Sequence, residues 1–262
     1  MTRFYIGADP EVFIGNNDGV KSVIGMIGGT KEHPLPLPIG EGFVVQEDNV
    51  ALEYNIPVSK SKELFVENIS TAMEFLESTL KDRMGLHFVN QSAVSFPDSE
   101  LQDPRALVFG CDPDYNAWTG RINRKPKAED KNLRSCGGHV HVGIRGTEYD
   151  GLPIREIIKA CDLFLGVPSV LMDNGVLRKQ LYGKAGAYRP KEYGGEYRSM
   201  SNYWIFSREL TAWVYDNVGM ALDAVRNRIP LEEDGKLIQS AINENSRPMA
   251  ERLIEKYSLN VL

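Results

Sequence analysis

Hydrophobic and polar residues alternate along several short segments of the chain, which is the pattern of β-strands. The segments are residues 50–56, the run VHVGI that follows Gly137-Gly138, and the run EYRSMSNYWIF. In the first two, one strand face is apolar and the other is polar. Each strand carries two polar side chains on one face, and the pairs are Glu53 with Asn55, His139 with His141, and Glu196 with Arg198.

A second pattern, with apolar residues every three or four positions, predicts helices over about 59–85 and 153–173, the latter interrupted at Pro168. From about residue 207 onwards the chain is mainly helical. The strands and helices lack the regular alternation of a doubly wound sheet. The pattern therefore favours an α+β fold with a largely antiparallel sheet, in a single domain spanning residues 1–262.

Between these elements, residues 87–96 predict one strand, and two segments predict loops. Residues 97–134 form a long irregular loop, and such loops are usually either functional or disordered. The glycine-rich residues 183–195 are either a lid over a site or an ordinary surface loop. In the longer loop, Asp112 and Asp114 either hold a substrate amine or cap a turn.

Composition narrows the functional classes. The chain has 262 residues, of which 42% are hydrophobic, enough for a sizeable core. A net charge of −6 argues against nucleic acid as a partner. No apolar run is long enough for a signal peptide or a membrane span, so we expect no membrane association and a cytoplasmic location. The three cysteines are far apart, which excludes a disulfide framework and indicates a reducing compartment: Cys111, Cys136 and Cys161.

The three polar pairs would form a charged platform if they belonged to one sheet. Carboxylates, an imidazole and a guanidinium together suit Mg²⁺ and a polyphosphate. Two rival interpretations stay open. In the first, the polar pairs are ordinary solvated strand faces and surface ion pairs without a functional role. In the second, His139 and His141 bind Zn²⁺ in a hydrolase. The other histidines, His33 and His87, supply no obvious third nitrogen ligand.

Four segments in fixed order resemble a known family: GADPEVF, ALEYNIP, GGHVHVG and GEYRSMSNYW. They are similar to the carboxylate-amine ligases of the glutamine synthetase and glutamate-cysteine ligase superfamily, above all to the branch of phages similar to phiEco32. The resemblance covers about residues 4–220. It implies a single catalytic domain in which an antiparallel sheet curves into a funnel, with helices on its outer face.

The resemblance also implies the reaction and its participants. Members join a carboxylate to an amine with ATP and Mg²⁺, releasing ADP and phosphate, and Mn²⁺ is an alternative ion. We therefore expect small-molecule or peptide carboxylates and amines as substrates, in a host cytoplasm if a phage encodes the chain. A non-catalytic relative that keeps the fold is a further alternative. Because no GxxxxGK[ST] phosphate loop is present, ATP would bind to the sheet and its metal ions.

Residue by residue, the resemblance assigns three sets of roles. The metal-binding residues are Glu11, Glu53, Asn55, His139 and Glu196, and the catalytic residues are Glu53, His139 and Arg198. The nucleotide-binding residues are His141 and Arg198. Apart from the resemblance, the basic residues Lys125 and Arg134, with Lys127 and Lys131, either close over ATP or an acidic substrate or form a solvated charge run. Asn55 departs from the family pattern, since many members have an acid there. The resemblance does not decide between His139 and His141 as the ligand.

Overall fold

The computed structural model describes residues 3–108, 114–123 and 129–262. Four residues named in the sequence analysis lie outside these described ranges: Cys111, Asp112, Lys125 and Lys127.

The strands of the described part of the chain form three sheets. In chain order they are β1 Tyr5–Ala8, β2 Glu11–Asn16, β3 Gly19–Lys21, β4 Leu35–Pro36, β5 Val44–Asp48, β6 Ala51–Asn55, β7 His87–Val89, β8 Ala93–Ser95, β9 Tyr115–Asn116, β10 Leu133–Ser135, β11 Val140–Gly143, β12 Ala187–Lys191 and β13 Gly194–Tyr197. One sheet has the order β1-β11-β13-β12-β9, a second has β3-β2-β6-β5-β4 with β7 on β2, and β10 pairs with β8.

All of these strand pairs are antiparallel, and one sheet is strongly curled, so the predicted α+β class is confirmed. The two large sheets meet where the chain passes from β1 to β2 through Asp9 and Pro10. There the Tyr54 N–H donates to the Pro10 carbonyl at 3.2 Å, and Ile6 bridges to Ser59. The first strand therefore connects both sheets.

Seven α-helices pack with these sheets in the described residues: α1 Lys62–Met84, α2 Ile154–Cys161, α3 Val167–Met172, α4 Arg178–Leu181, α5 Arg208–Arg226, α6 Gly235–Asn243 and α7 Arg247–Tyr257. Short 3-10 helices span Asp98–Leu101, Pro104–Leu107, Asn202–Phe206 and Leu231–Asp234. The α2 helix packs on β12 and β13, and α5 packs on α1 and α2. No helix in the described ranges is both long and apolar enough to cross a bilayer.

Helix α1 lies close to its predicted bounds. The Ser61 hydroxyl accepts a hydrogen bond from the Leu64 N–H at 3.2 Å, and Gly85 ends the helix with a φ of 64°. The predicted interruption at Pro168 takes another form. A π-helical turn, Asp162–Gly166, joins α2 to α3 just before this proline. Because proline has no N–H and clashes with the carbonyl four residues earlier, a wider turn accommodates it without ending the helix.

Two predictions were wrong in detail. Residues 87–96 form two strands instead of one, because β7 pairs with β2 and β8 with β10, with a turn between them. The segment 183–195 is neither a lid nor a surface loop. Its residues 187–191 form β12, which is paired on both edges inside the five-stranded sheet. The glycines misled the prediction, since Gly183 and Gly186 serve turns with positive φ immediately before the strand.

Candidate active site

One face of the five-stranded sheet is polar over three adjacent strands. Gly7 on β1 lies opposite His141 on β11, and His141 lies opposite Glu196 on β13. On the next strand, Arg189 lies opposite Glu196. The opposite face, which includes Ile6, Val140, Val142 and Tyr197, is buried in the hydrophobic core. The core therefore holds the sheet in a register that places acids, imidazoles and cations on one surface.

Asp9 joins the two histidines of this surface. Its Oδ1 lies 3.3 Å from His139 Nδ1 and 3.3 Å from His141 Nε2. The Arg198 guanidinium lies beside the same groups, with Nη1 3.3 Å from His139 Nδ1 and in contact with the Glu196 carboxylate. We call these five residues the histidine cluster: Asp9, His139, His141, Glu196 and Arg198.

Glu196 has more than one cationic partner. Its side chain is fully buried, and Lys191 Nζ lies 3.0 Å from Oε2. Arg189 Nη1 lies 3.6 Å from Oε1, which also contacts Arg198. Burial and Asp9 raise the pKa of Glu196, but Arg198 and the histidines outweigh them and lower this pKa to about 2. The Glu196 carboxylate is thus ionised, and the neighbouring cationic side chains balance its negative charge.

Gly137 and Gly138 allow this surface to pack so closely. A side chain at residue 137 would overlap the imidazole of His139, and one at residue 138 would overlap the Ser201 carbonyl and the Trp204 indole. The Trp204 Nε1–H donates to the Gly138 carbonyl at 3.2 Å. The glycine pair is therefore required for close approach of the backbone, which no other residue type permits.

A second group of acids lies on the neighbouring sheet. Glu11 on β2 lies opposite Glu53 on β6, and Asp48 ends β5 on the adjacent strand. Each of these three residues offers a carboxylate oxygen, and the three oxygens lie within 4.8 Å of one another. We call Glu11, Asp48 and Glu53 the acidic cluster. Glu11 links the two clusters, because its Oε2 accepts a hydrogen bond from the Gly137 N–H at 2.7 Å.

Charge in the acidic cluster is poorly compensated. Burial, followed by repulsion from Asp48, raises the pKa of Glu11 to about 7. Burial and repulsion from Asp9, Asp48 and Glu11 raise the pKa of Glu53 well above its ordinary value. Neither Glu11 nor Glu53 makes a salt bridge within 4 Å among the described residues. A cation bound here would neutralise the repulsion.

The two imidazoles differ in charge. Burial, followed by the Arg198 guanidinium, lowers the pKa of His139 to about 4. For His141 burial also acts to lower the pKa, but the Asp9 carboxylate outweighs it and raises the pKa above the usual 6.5. Near neutral pH, His139 is therefore neutral and His141 tends towards the charged form.

Two cavities open on either side of the histidine cluster. The first, about 90 Å³, is lined by residues of both clusters and by further arginines, among them Glu11, Asp48, His139, Arg178 and Arg198. The second, about 370 Å³, is lined mainly by apolar residues, with His141 and Asn55 among its polar ones. Since His139 lines one cavity and His141 the other, Asp9 lies between the two.

Comparison with protein families adds to this geometry. Residues 130–244 match the model of the family described as phage phiEco32-like COOH·NH2 ligase-type 2. This part of the chain is similar to that ligase family. The match confirms the resemblance inferred from the sequence, and it includes His139, His141, Glu196 and Arg198. No curated protein matches the chain. The family name implies a carboxylate-amine ligase, an enzyme that forms carbon–nitrogen bonds.

Most of the predicted site residues lie together. Glu11, Glu53, His139, Glu196 and Arg198 belong to the two clusters described above. Asn55, in contrast, lines the second cavity with His141.

Arg134 lines the first cavity, and its guanidinium donates to the backbone carbonyls of Ala106, Lys131 and Leu133. These bonds hold the guanidinium against the protein backbone. Lys125, the other basic residue assigned to the nucleotide, is outside the described residues.

Several residues of the site escaped the sequence analysis. Asp9 and Asp48 carried no assigned role, yet Asp48 ends a strand in the acidic cluster and Asp9 lies between two histidines. Arg189 and Lys191 lie two residues apart on β12, in the segment that resembled a loop, so that spacing was the available signal.

Arg178 had no sequence signal. It lies on the short α4 helix, where its Nη1 donates to the Ser199 carbonyl at 3.1 Å and its Nη2 to the Arg198 carbonyl at 3.3 Å. These bonds aim a buried guanidinium at the first cavity from beside Arg198.

The zinc alternative has one feature in its favour, because ligand atoms of Asp9, His141 and Glu196 lie within 4.8 Å of one another. His139 and His141 both lie near Asp9, but the two remaining histidines, His33 and His87, are exposed and outside the cluster. The imidazole of His139 also lies 3.3 Å from the Arg198 guanidinium, a cation that disfavours a metal ion at the same nitrogen.

Proposed function

We propose that the protein is an ATP- and Mg²⁺-dependent, ADP-forming ligase that joins a carboxylate to an amine through an acyl phosphate. One observation carries the proposal: an acidic cluster with unbalanced charge lies beside a cavity that contains the guanidinium groups of Arg178 and Arg198. A metal ion would balance the negative charge of the acids, and phosphoryl oxygens would balance the positive charge of the guanidinium groups. The free thiols of Cys136 and Cys161 fit the cytoplasm as the location.

The acidic cluster fits Mg²⁺. Glu11, Asp48 and Glu53 offer the hard oxygen ligands that this ion prefers, and the raised pKa values of Glu11 and Glu53 show that the protein alone does not stabilise their charges. When bound, Mg²⁺ would neutralise phosphate charge and orient the phosphoryl group. We propose that Glu196 instead holds Arg198 and Lys191, because both contact its carboxylate.

The arginines of the first cavity would act on the phosphoryl group. Arg198 is fixed by Glu196 and by the neutral His139, while Arg178 is fixed by two backbone carbonyls. Donors that are held in place before reaction stabilise developing charge without reorganising. We therefore assign both guanidinium groups to the oxygens of the transferred phosphoryl group.

The reaction then has two balanced steps. A substrate carboxylate oxygen attacks the γ-phosphorus of ATP, the bond from that phosphorus to ADP breaks, and an acyl phosphate forms. The amine nitrogen then attacks the acyl carbon, the carbon–oxygen bond to phosphate breaks, and phosphate leaves as the amine loses a proton. The first step removes the obstacle to amide formation, because phosphate is a far better leaving group than oxide.

A paired-substrate screen tests the proposal. Purified protein is incubated with Mg²⁺-ATP and pairs of amino acids, and ADP and amide products are quantified by mass spectrometry. We expect ADP and amide in equal amounts, and only when a carboxylate, an amine and Mg²⁺ are all present. Stoichiometric zinc in the purified protein, or failure to bind the ATP analogue AMP-PNP with Mg²⁺, would overturn the proposal.

A further inference from the structure

The second cavity has the form of a small-ligand site. Its volume of about 370 Å³ is at the lower end of the range for ligand pockets. Gly7 and Gly143 leave bare backbone on its floor, and Tyr5 and Tyr193 line it as well. Ile56 and Val58 add apolar surface, and the Val58 side chain is 62% exposed. An apolar side chain of one amino acid would suit this surface.

Few polar groups line this cavity. The Tyr193 hydroxyl and His141 Nδ1 are 3.1 Å apart, and the backbone N–H of Arg145 donates to the Tyr193 carbonyl at 3.2 Å. Arg145 is exposed and makes no salt bridge with any residue that the structure describes. No acidic residue is among the described residues that line the cavity, so Arg145 gives it a positive rim.

Asn55 is the remaining polar residue. Its side-chain amide makes no hydrogen bond within the described part of the chain, although the residue lies at the end of β6, two positions from Glu53. Amide and guanidinium groups beside an apolar surface are typical of sites that orient a small ligand.

We propose that the second cavity binds the amine substrate, and that this substrate is a free amino acid with an apolar side chain. The side chain would lie against Tyr5, Ile56 and Val58, and the carboxylate would pair with Arg145. The amine would then point to His141, towards the first cavity. This assignment rests on the proposed ligase function, since it names the second substrate of that reaction.

Calorimetric titration of the full chain tests the inference apart from turnover. With Mg²⁺ and AMP-PNP bound, we expect L-phenylalanine and L-leucine to bind at least about tenfold more tightly than L-phenylalaninamide or L-lysine, since one charged contact contributes about 1.5–3 kcal/mol. In Arg145→Gln the preference for L-phenylalanine over its amide should disappear. Val58→Asp should weaken binding of both apolar amino acids.

Arg83→Gln, at an exposed position in the last turn of α1, is the matched control and should bind like the parent protein. Equal binding of L-phenylalanine and its amide, or an unchanged preference in Arg145→Gln, would overturn the inference. Absence of amino-acid binding while Mg²⁺ and AMP-PNP still bind would overturn it too, and would leave the proposed ligase function intact. Loss of nucleotide binding itself would instead contradict both.

Discussion

Glu11 lies opposite Glu53 across the antiparallel strands β2 and β6, and burial together with repulsion from the Asp48 carboxylate raises the pKa of both carboxyl groups. Two adjacent buried acids without a salt bridge destabilise a folded protein when both are ionised. The chain pays this cost at the junction of its two sheets, where it also places its arginines and histidines. This arrangement supports the proposal that the acidic cluster binds a cation.

Stability of the metal-free protein should decrease as the pH rises. The pKa of Glu11 increases on folding from 4.5 to about 7, so the folded state favours the protonated form. The stabilising contribution of protonated Glu11 to the free energy of unfolding is therefore fully present below pH 4.5. This contribution, about 1–3 kcal/mol, is lost as the pH rises towards 7. Urea unfolding at several pH values measures it. Glu53→Gln should make the decrease shallower, and Mg²⁺ should reverse it.

The matched control for this experiment is Glu74→Gln, because Glu74 is exposed on α1 and lies outside the cluster. It should keep the full pH dependence of the parent protein. A metal-free protein whose unfolding free energy does not change between pH 4.5 and 7 would show that the acidic cluster is not under charge repulsion.

The strands that hold the site followed from the sequence where alternation was regular. Apolar and polar side chains alternate in residues 50–56 and 139–144. Only one strand register buries the apolar side chains, so the polar faces of these strands could be assigned in advance. The hairpin of β12 and β13 could not, because glycine and proline around it are typical of loops. Asp9 also escaped prediction, since its role depends on β11, more than a hundred residues away in sequence.

Arg198→Ala should remove phosphoryl transfer without unfolding the protein. One preorganised donor to a transition-state oxygen contributes about 10²–10³ in kcat. Glu196 keeps Lys191 and Arg189 as partners in the variant, so the fold should remain. Single-turnover ADP formation measures the loss, Arg198→Lys should recover part of it, and Arg83→Ala serves as the control. Full turnover in Arg198→Ala would remove this guanidinium from the mechanism.

The pKa values of the two site histidines should lie on opposite sides of the usual 6.5. Since burial and Arg198 lower the pKa of His139 to about 4, its imidazole should stay neutral down to that pH. Asp9 raises the pKa of His141, so its imidazole should lose its proton only above pH 6.5. Nitrogen-15 NMR follows both, with resonances assigned from His139→Gln and His141→Gln.

Replacement of Asp9 tests the cause of this difference. In Asp9→Asn the pKa of His141 should fall, because its neighbouring negative charge is gone, while Asp18→Asn at an exposed turn should leave both titrations unchanged. His141 that titrates at the same pH in Asp9→Asn would show that Asp9 does not control its charge.

The site of the acids was harder to predict from sequence than the histidine strand. Glu11 and Glu53 were assigned through a resemblance. Glu53 lies in the acidic cluster, whereas Asn55 lines the second cavity. Which cavity a side chain lines depends on how the twisted sheets pack, which a local pattern does not encode.

Binding of Mn²⁺, measured by electron paramagnetic resonance, tests the central claim most directly, because it reports on the acidic cluster without substrates or turnover. We predict that the parent protein binds Mn²⁺, that Mg²⁺ competes for the same site, and that Glu53→Gln loses at least about tenfold in affinity while Glu74→Gln does not. Equal Mn²⁺ affinity in the parent protein and in Glu53→Gln would contradict the account.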